Sequence, residues 1–329
     1  AVVQRLTAPD ASGMQQAVLM PADAALLQGF AAGEAVTAEL VAVALDRNAP
    51  KAMNRMQTRL TGSGELGQLS RLQDVVSQNL QEAGCSKVSI LARDGQQLIG
   101  HLWRCKDAKR TVLCMHGWRS EWSRDFGMIA QFLFQNQCNV LFAEQRGQGS
   151  SGGSHISFGL QERYDCLDWI FYLNRNGFAD LPIYLAGVSM GATTVLMTTG
   201  FPLPSNVHGV IADCGYTSAR AIIKKVIRQM HLPAALLYPF VKLAARVFGH
   251  FDLEELTAEE AIQHCEVPVI FFHGLDDDYV PSYMSEINYA ACKSRKKLVL
   301  IPGAGHGLSF LVAPEQYVNE VHTFFHDFE

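Results

Sequence analysis

Short apolar runs alternate with helix-prone segments over most of the chain after about residue 110. Runs of this length, bounded by Gly, Pro and Asp, are typical of strands that are buried on both faces. Their alternation with helical segments predicts an α/β fold with a mostly parallel central sheet that helices cover on both faces. The predicted strands are residues 112–115, 139–143, 182–186, 209–213, 267–272 and 297–302, and the helical segments include 125–135 and 160–174.

A helix and an antiparallel hairpin are predicted ahead of this alternation. Residues 64–83 carry apolar side chains at helical spacing, and Gly84 suits the position that follows a helix end. Two extended runs, 87–92 and 97–102, then flank a turn that contains Asp-Gly, which is a strong signal for a hairpin. The apolar positions of the predicted helix are Leu66, Leu69, Leu72, Val76 and Leu80.

The N-terminal part of the chain falls outside this α/β core. Residues 1–63 form an Ala-rich extension with a predicted helical stretch at about 22–45, and they carry no catalytic signature. Packing against the core and a contact in a homo-oligomer both remain open as its role. We place the catalytic α/β domain at residues 64–329, as one compact domain rather than two.

A second segment, residues 216–266, is too long for a simple crossover between two strands and predicts a helical insertion. Its apolar residues either shape an apolar pocket as a cap that excludes water, or they bury against the core. Lys242 and Arg246 interrupt the apolar run, so a cap is favoured over membrane insertion. A cap surface is also a candidate contact in a homo-oligomer.

A candidate nucleophile lies between a predicted strand and a helix-prone segment, where residues 187–191 read Gly-Val-Ser-Met-Gly. In this context the pattern presents a serine oxygen at the tip of a strained turn, and the glycines let the strand and the helix approach closely. The unpaired N–H groups at the start of the helix favour a developing anion. Ser189 is therefore the predicted nucleophile, and the alternative is an ordinary N-cap serine in a Gly-rich turn.

A serine nucleophile needs a base that removes its proton. His306 follows the last predicted strand in a Gly-rich loop, where a mobile general base is expected. His116 and His273 stand before glycine at strand ends, which favours a bracing role. His322 and His326 fit a solvated helix face.

The base in turn needs an acid that orients it. Three consecutive aspartates, Asp276, Asp277 and Asp278, follow the strand at 267–272, and Asp213 ends the preceding strand. All four lie at the carboxyl ends of predicted strands, where sheets of this type bind their ligands. The residues alone leave the choice among them open.

The order of these motifs resembles that of the α/β-hydrolase superfamily, and within it the bacterial serine esterase and serine aminopeptidase-like group. The resemblance spans roughly residues 85–329. It includes His-Gly at 116–117 and the loop at 144–153, which fits D-x-R-G-x-G-x-S-x-G except that Glu144 replaces the usual aspartate and Gln148 the frequent histidine. These departures touch a structural turn and leave the expected triad intact.

The resemblance implies roles for individual residues. Residues 273–281 align with the family pattern H-G-x-x-D-x-x-V-P, which puts the acid at Asp277. An oxyanion hole is implied at the backbone N–H groups of Trp118 and Met190. The implied triad is Ser189, Asp277 and His306, and the substrate pocket is expected to include Trp118, Tyr216 and Tyr279.

Composition narrows the classes of partner and cofactor. The chain has 329 residues, 48% hydrophobic and 18% charged, with a net charge of −5. A nucleic-acid partner needs a concentrated basic face and is not expected. The eight cysteines form no C-x-x-C pair and no Cys/His spacing typical of zinc, so we expect reduced thiols, no metal and a cytoplasmic location. We recognise neither a leader nor an apolar run of transmembrane length.

These observations predict a serine hydrolase that cleaves small or medium acyl or aryl esters through an acyl-enzyme, without a cofactor. A peptidase or amidase and an acyltransferase use the same triad and remain alternatives. A binding module with a hydrolase fold is an alternative of another class, although such modules usually lack a triad residue. We expect the acyl preference to depend on residues 216–266.

Overall fold

The computed structural model describes residues 41–47 and 65–329 of the chain. Within these residues, eight strands form a single sheet. The strands are β1 (Ser86–Leu91), β2 (Gln97–Trp103), β3 (Arg110–Met115), β4 (Cys138–Ala143), β5 (Ile183–Val188), β6 (Val207–Asp213), β7 (Val269–Gly274) and β8 (Lys296–Ile301).

The sheet is parallel except at one end. In the order β1-β2-β4-β3-β5-β6-β7-β8, strands β1 and β2 form an antiparallel hairpin, and β2 runs antiparallel to β4. Met115 of β3 lies opposite Ala143 of β4 and Gly187 of β5, so these strands end nearly level. The loops that follow the parallel strands therefore meet at one edge, which is where such sheets bind ligands.

Helices pack on both faces of the sheet, because alternate residues of each strand point to opposite sides. One face of the sheet, with Leu113 of β3, packs against Trp169 and other buried residues. The other face, with Val112 of β3, packs against Phe126 and Phe324. The helices of residues 65–329 are α1 (Glu65–Glu82), α2 (Trp122–Gln135), α3 (Glu162–Leu173), α4 (Met190–Thr198), α5 (Ala219–Gln229), α6 (Ala234–Ala244), α7 (Ala258–Ile262), α8 (Tyr283–Ala291), α9 (Ser309–Val312) and α10 (Pro314–Phe328), with π-helical turns at Asn174–Phe178 and Ala245–Gly249.

The predicted alternation of strands and helices is confirmed, and every predicted strand lies within two residues of an observed one. The predicted helix at 64–83 is α1, but its apolar positions differ in burial. Leu80 is buried, whereas Leu72 is 42% exposed. The C-terminal half of α1 packs closely on α2, where Ser77 and Ser123 are hydrogen-bonded, and this contact explains the difference.

Most of the predicted N-terminal extension lies outside the described residues. Of residues 1–63, the structure describes 41–47, and residues 41–45 are helical. Leu45 is buried among core residues of the α/β domain. This part of the extension therefore packs against the core.

The segment between β6 and β7 is helical and contains α5, α6 and α7. Leu237, Tyr238 and Val241 of α6 are buried, whereas Leu236 is exposed. The two cations that interrupt its apolar sequence are ion-paired, Lys242 with Glu254 and Arg246 with Asp252.

The sequence predicts reduced thiols and no apolar run of transmembrane length. All eight cysteines are free thiols, and six of them are buried. Among the helices of residues 41–47 and 65–329, none combines the length and the apolar content that crossing a membrane requires.

Candidate active site

The turn after β5 holds Ser189 in a strained backbone conformation. Its φ of 56° and ψ of −116° lie where residues with a Cβ rarely occur, and such strain costs about 1–3 kcal/mol. The Ser189 N–H donates to the Asp213 carbonyl at 2.8 Å, and the Thr193 N–H donates to the Ser189 carbonyl at 3.0 Å. Strand β6 and helix α4 thus hold the two sides of the strained residue.

Two glycines make this turn possible. A Cβ on Gly191 would lie 1.8 Å from the Met115 carbonyl oxygen, and a Cβ on Gly187 would lie 2.3 Å from the Gly191 carbonyl. Both obstacles are backbone atoms, which cannot rotate away. Glycine at these positions therefore lets the first turn of α4 rest directly on the end of β3.

Ser189, His306 and Asp277 form a continuous hydrogen-bonded line. The Ser189 Oγ lies 2.9 Å from His306 Nε2, and His306 Nδ1 lies 2.7 Å from Asp277 Oδ2. An ionised carboxylate only accepts hydrogen bonds, so Nδ1 carries the proton and Nε2 accepts from the serine hydroxyl. The structure therefore places these three predicted residues in the geometry that proton removal from Ser189 requires.

The environment of Asp277 keeps it ionised. Burial opposes its charge, but the imidazoles of His306 and His273 outweigh burial and hold the pKa of this carboxyl well below its usual range. The second oxygen, Oδ1, accepts from the N–H groups of Tyr279 at 2.9 Å and Val280 at 2.8 Å. Asp277 therefore offers His306 a fixed negative charge.

The other candidate acids lie elsewhere. Asp276 and Asp278 are exposed. Asp213 is buried, and burial raises its pKa. The Ser309 hydroxyl donates to Asp213 Oδ1 at 2.8 Å, so Asp213 supports the chain just after the loop that carries His306. Neither its geometry nor its pKa favours Asp213 as the acid that pairs with His306 Nδ1.

The loop at residues 117–120, here called the oxyanion loop, lies beside Ser189. A Cβ on Gly117 would stand 3.4 Å from the Ser189 Cβ. Asp125, in the first turn of α2, accepts from the Gly117 N–H at 2.6 Å and from the Ser120 hydroxyl at 2.5 Å. These bonds hold both ends of the loop that carries the predicted oxyanion donor, the Trp118 N–H.

Met190, the other predicted donor, is the first residue of α4. The N–H groups in the first turn of a helix have no acceptor within that helix, and the helix dipole places partial positive charge there. Met190 thus begins α4 directly after Ser189, and its N–H remains the predicted second oxyanion donor.

His116 and His273 act as braces, as their positions before glycine favour. His116 Nε2 accepts from the Gln145 N–H at 3.0 Å, and burial lowers its pKa, so this imidazole is neutral. Burial alone would lower the pKa of His273, but its hydrogen bonds to Asp277 and Val280 raise it. The structure places neither imidazole at the serine oxygen. His322 and His326 are exposed on α10, as predicted.

The predicted pocket residues differ in accessibility. The Tyr279 ring meets the His306 ring edge-on, with the ring centroids 5.0 Å apart. Trp118 is partly exposed and stacks on Phe158 at 6.5 Å. Tyr216, by contrast, is only 2% exposed and packs in the core. Trp118 and Tyr279 therefore flank the site, while Tyr216 supports it from within.

The two departures from the family pattern lie in a structural turn. Glu144 accepts from His101 Nε2 at 2.6 Å and from the Ser150 N–H. Gln148 is buried. The Glu144 side chain therefore holds the loop after β4, whereas Gln148 contributes backbone hydrogen bonds with Gln145 and Ser151.

The ligand atoms of Cys214, Asp277 and His306 lie within 4.8 Å of one another, a grouping that could hold a metal ion. Two observations disfavour this role. The 2.7 Å contact between Asp277 and His306 is a direct hydrogen bond, too short for two ligands of one ion. Burial also raises the pKa of Cys214 well above its usual value, so its sulfur is a thiol and not the thiolate that metals prefer.

Sequence reasoning missed several groups that contact the site loops. Lys225 and Gln229 of α5 both donate to the Asp278 carbonyl, next to the acid. Arg119 binds the segment at 41–47. The sequence offered a weak indication for Asp125, because acidic residues are favoured near the start of a helix. It offered none for Lys225, Gln229 and Arg119, whose side chains bind carbonyls that are remote in the chain.

Comparison with known proteins agrees with the fold. Residues 112–320 match the model of the alpha/beta hydrolase family, and the chain belongs to this family. It is 27% identical over 232 residues to the uncharacterized protein YqkD of Bacillus subtilis. This alignment covers 70% of this chain and 75% of YqkD. It is 23% identical over 257 residues to the bifunctional esterase/perhydrolase DCH of Acinetobacter calcoaceticus, covering 67% of this chain and 92% of DCH.

Among solved structures, the esterase Pf2001 of Pyrococcus furiosus is similar in fold. Its TM-score is 0.62 at 22% identity, and the match covers 74% of this chain and 91% of that one.

We expect Gly191→Ala to destabilise the protein by more than about 3 kcal/mol, the upper end of ordinary overpacking, because the new methyl group meets the Met115 backbone. Gly84→Ala is the control, since Gly84 has φ +86° but open space around it and should lose only about 1–2 kcal/mol. Urea unfolding measures both values. Equal losses in the two variants would contradict the close contact.

The low pKa of Asp277 predicts a pH dependence of stability. A carboxyl whose folded pKa lies below its unfolded value of about 3.9 stabilises the fold above that value, and the contribution is lost as the pH falls through the folded pKa. The wild type should therefore lose more free energy of unfolding between about pH 5 and pH 2 than Asp277→Asn does. Urea titrations at several pH values test this, with the exposed Asp276→Asn as control. An equal pH dependence of the free energy of unfolding in the wild type and Asp277→Asn would refute the low pKa of Asp277.

Proposed function

We propose that this protein is a serine hydrolase that cleaves carboxylic esters through an acyl-enzyme. The observation that carries the proposal is the line from Ser189 Oγ through His306 to Asp277, with distances of 2.9 and 2.7 Å, on a strained turn at the carboxyl edge of the sheet. A serine with a positioned base and a buried carboxylate is the arrangement that acyl transfer needs.

In the first step, the Ser189 oxygen attacks the carbonyl carbon of the ester while His306 Nε2 takes the hydroxyl proton. The carbonyl oxygen becomes an oxyanion, and the N–H groups of Trp118 and Met190 stabilise it. The carbon–oxygen bond to the leaving group then breaks, and His306 returns its proton to the departing alcohol. Asp277 stabilises the imidazolium that exists between these transfers.

In the second step, water replaces the alcohol. His306 removes a proton from the water, whose oxygen attacks the acyl carbon, and the same N–H groups hold the second oxyanion. Collapse of this intermediate breaks the bond to Ser189, which takes back a proton from His306. The chain's own groups account for each proton in both steps.

The walls of the site support small or medium acyl or aryl esters as substrates. Two aromatic pairs supply apolar surface near the nucleophile: Trp118 stacks on Phe158, and Tyr279 meets His306 edge-on. DCH is named as an esterase/perhydrolase and Pf2001 as an esterase, which agrees with this substrate class. We further propose that residues 216–266 act as a cap, because Gln229 of α5 binds the Asp278 carbonyl at 2.6 Å beside the acid. The free thiols support a cytoplasmic location.

Ser189→Ala should lower hydrolysis of p-nitrophenyl acetate and butyrate by about 10⁴–10⁶-fold, because no other group supplies the attacking oxygen. Ser77→Ala, which removes a buried serine on α1, is the matched control and should retain wild-type turnover. A fluorophosphonate probe should label the wild type and Ser77→Ala but not Ser189→Ala.

Undiminished turnover in Ser189→Ala would refute the proposal. Aminoacyl p-nitroanilides and added alcohols extend the same assay. Preferred cleavage of the amide would redefine the protein as a peptidase, and preferred acyl transfer to the alcohol would redefine it as an acyltransferase.

The assignment of Asp277, and not Asp213, as the acid that pairs with His306 can be tested by substitution. Asp277→Asn should lower kcat by about 10⁴-fold, since the amide cannot hold the His306 tautomer or stabilise its charge. Asp213→Asn should retain activity within about threefold of the wild type, because Asp213 lies outside the hydrogen-bonded line of Ser189, His306 and Asp277, and an asparagine oxygen can still accept from the Ser309 hydroxyl. Steady-state kinetics of both variants decide the point. A larger loss in Asp213→Asn would exchange the two roles.

A further inference from the structure

Residues 41–47, here called the strap, are held against two loops at the edge of the site. Residues 41–45 are helical, and Leu45 is buried in the core. Asp46 then pairs with His155 in an isolated antiparallel bridge, and the Arg47 N–H donates to the Ser154 carbonyl at 2.9 Å. The strap therefore joins the oxyanion loop at residues 117–120 to the loop that follows β4.

Each backbone carbonyl from residue 42 to residue 46 accepts a hydrogen bond from the α/β domain. Arg119 donates from Nε and Nη2 to the carbonyls of Ala42, Val43 and Asp46. Trp118 Nε1 donates to the Ala44 carbonyl at 3.3 Å, and the Ile156 N–H donates to the Leu45 carbonyl at 2.9 Å. The last carbonyls of a helix lack partners within it and carry its negative dipole end, so a guanidinium is a favourable partner there.

Two of the residues that bind the strap, Trp118 and Arg119, belong to the oxyanion loop. Arg119 has a φ of 51°, in the left-handed region that a residue with a Cβ rarely adopts. Its guanidinium lies 5.1 Å from the centre of the Trp118 ring, so the two side chains share one attachment to the strap. Release of Arg119 removes the contacts that hold this unfavourable backbone conformation.

We infer that the strap carbonyls of residues 42–46 form a positioning element for the oxyanion hole, acting through Arg119 and the Trp118 side chain on the direction of the Trp118 N–H. The inference rests on the proposed function, in which that N–H binds the oxyanion. Asp125 fixes the ends of the oxyanion loop at Gly117 and Ser120, and the strap fixes the two residues between them. A part of the chain with no catalytic signature of its own thereby contributes to transition-state stabilisation.

Arg47 provides a matched control within the strap. Its guanidinium donates to the carbonyls of Ser151 at 2.5 Å, Gly153 at 3.3 Å and Gly149 at 2.6 Å. Arg47→Ala therefore removes about as many strap contacts as Arg119→Ala, but at the loop after β4. A purely stabilising strap predicts similar kinetics for the two variants.

The test compares wild type, Arg119→Ala, Arg119→Lys and Arg47→Ala in p-nitrophenyl acetate hydrolysis, with thermal unfolding of each. Arg119→Ala should lose about 10- to 100-fold in kcat with KM within about threefold, because a misplaced oxyanion donor weakens the transition state more than substrate binding. Arg119→Lys should recover part of kcat, since its ammonium still reaches carbonyls of the strap. Arg47→Ala should keep kcat within about threefold while its melting temperature falls.

Failure of the inference and failure of the proposed function give different results. A wild type that hydrolyses no ester would overturn the proposed function. An active wild type with equal kcat losses in Arg119→Ala and Arg47→Ala, or with a change in KM alone, would overturn the role of the strap. Should Arg119→Ala not fold, Arg119→Lys decides: a kcat below that of Arg47→Ala supports the inference, and wild-type kcat refutes it.

Discussion

The contact between the first turn of α4 and the end of β3 is the constraint on which the rest of the site depends. Gly191 rests on the Met115 carbonyl with no room for a side chain. Because the helix starts so close to the sheet, the chain must turn sharply between β5 and α4, and Ser189 takes the strained conformation of that turn. The same contact places the start of α4, whose first N–H groups have no acceptor within the helix, directly after Ser189.

Strain at one residue is tolerable because the surrounding core holds it. About 1–3 kcal/mol at Ser189 is a sizeable part of a typical stability of 5–15 kcal/mol, so the parallel sheet and its helices must fix the turn on all sides. Strand β6 holds the Ser189 N–H, and the loops after β7 and β8 bring Asp277 and His306 to the same edge. Buried Asp277 stays charged because two imidazoles and two backbone N–H groups surround it. The fold thus fixes both the geometry and the charge of the candidate triad.

Sequence patterns predicted the features that depend on neighbouring residues, namely the strands and the turn that carries Ser189. Short apolar runs in the sequence located the strands to within two residues, and the strand–turn–helix context singled out Ser189. The choice among three adjacent aspartates needed the family pattern, because they differ only in which one faces His306. The sequence offered no indication of the hydrogen bonds between Arg119 and the strap, because the bonded residues are far apart in the chain. Arg119 and Asp46, for example, are separated by 73 residues. Long-range contacts from side chain to backbone depend on the finished fold and leave no periodic trace in the sequence.

Formation of an acyl-enzyme at Ser189 can be detected from the mass of the intact protein after mixing with p-nitrophenyl acetate and rapid acid quenching. We expect a transient gain of one acetyl group, located at Ser189 by peptide mapping, and no such gain in Ser189→Ala. An acetyl group on another residue, or turnover of the ester with no acetylated protein at any time, would contradict this expectation.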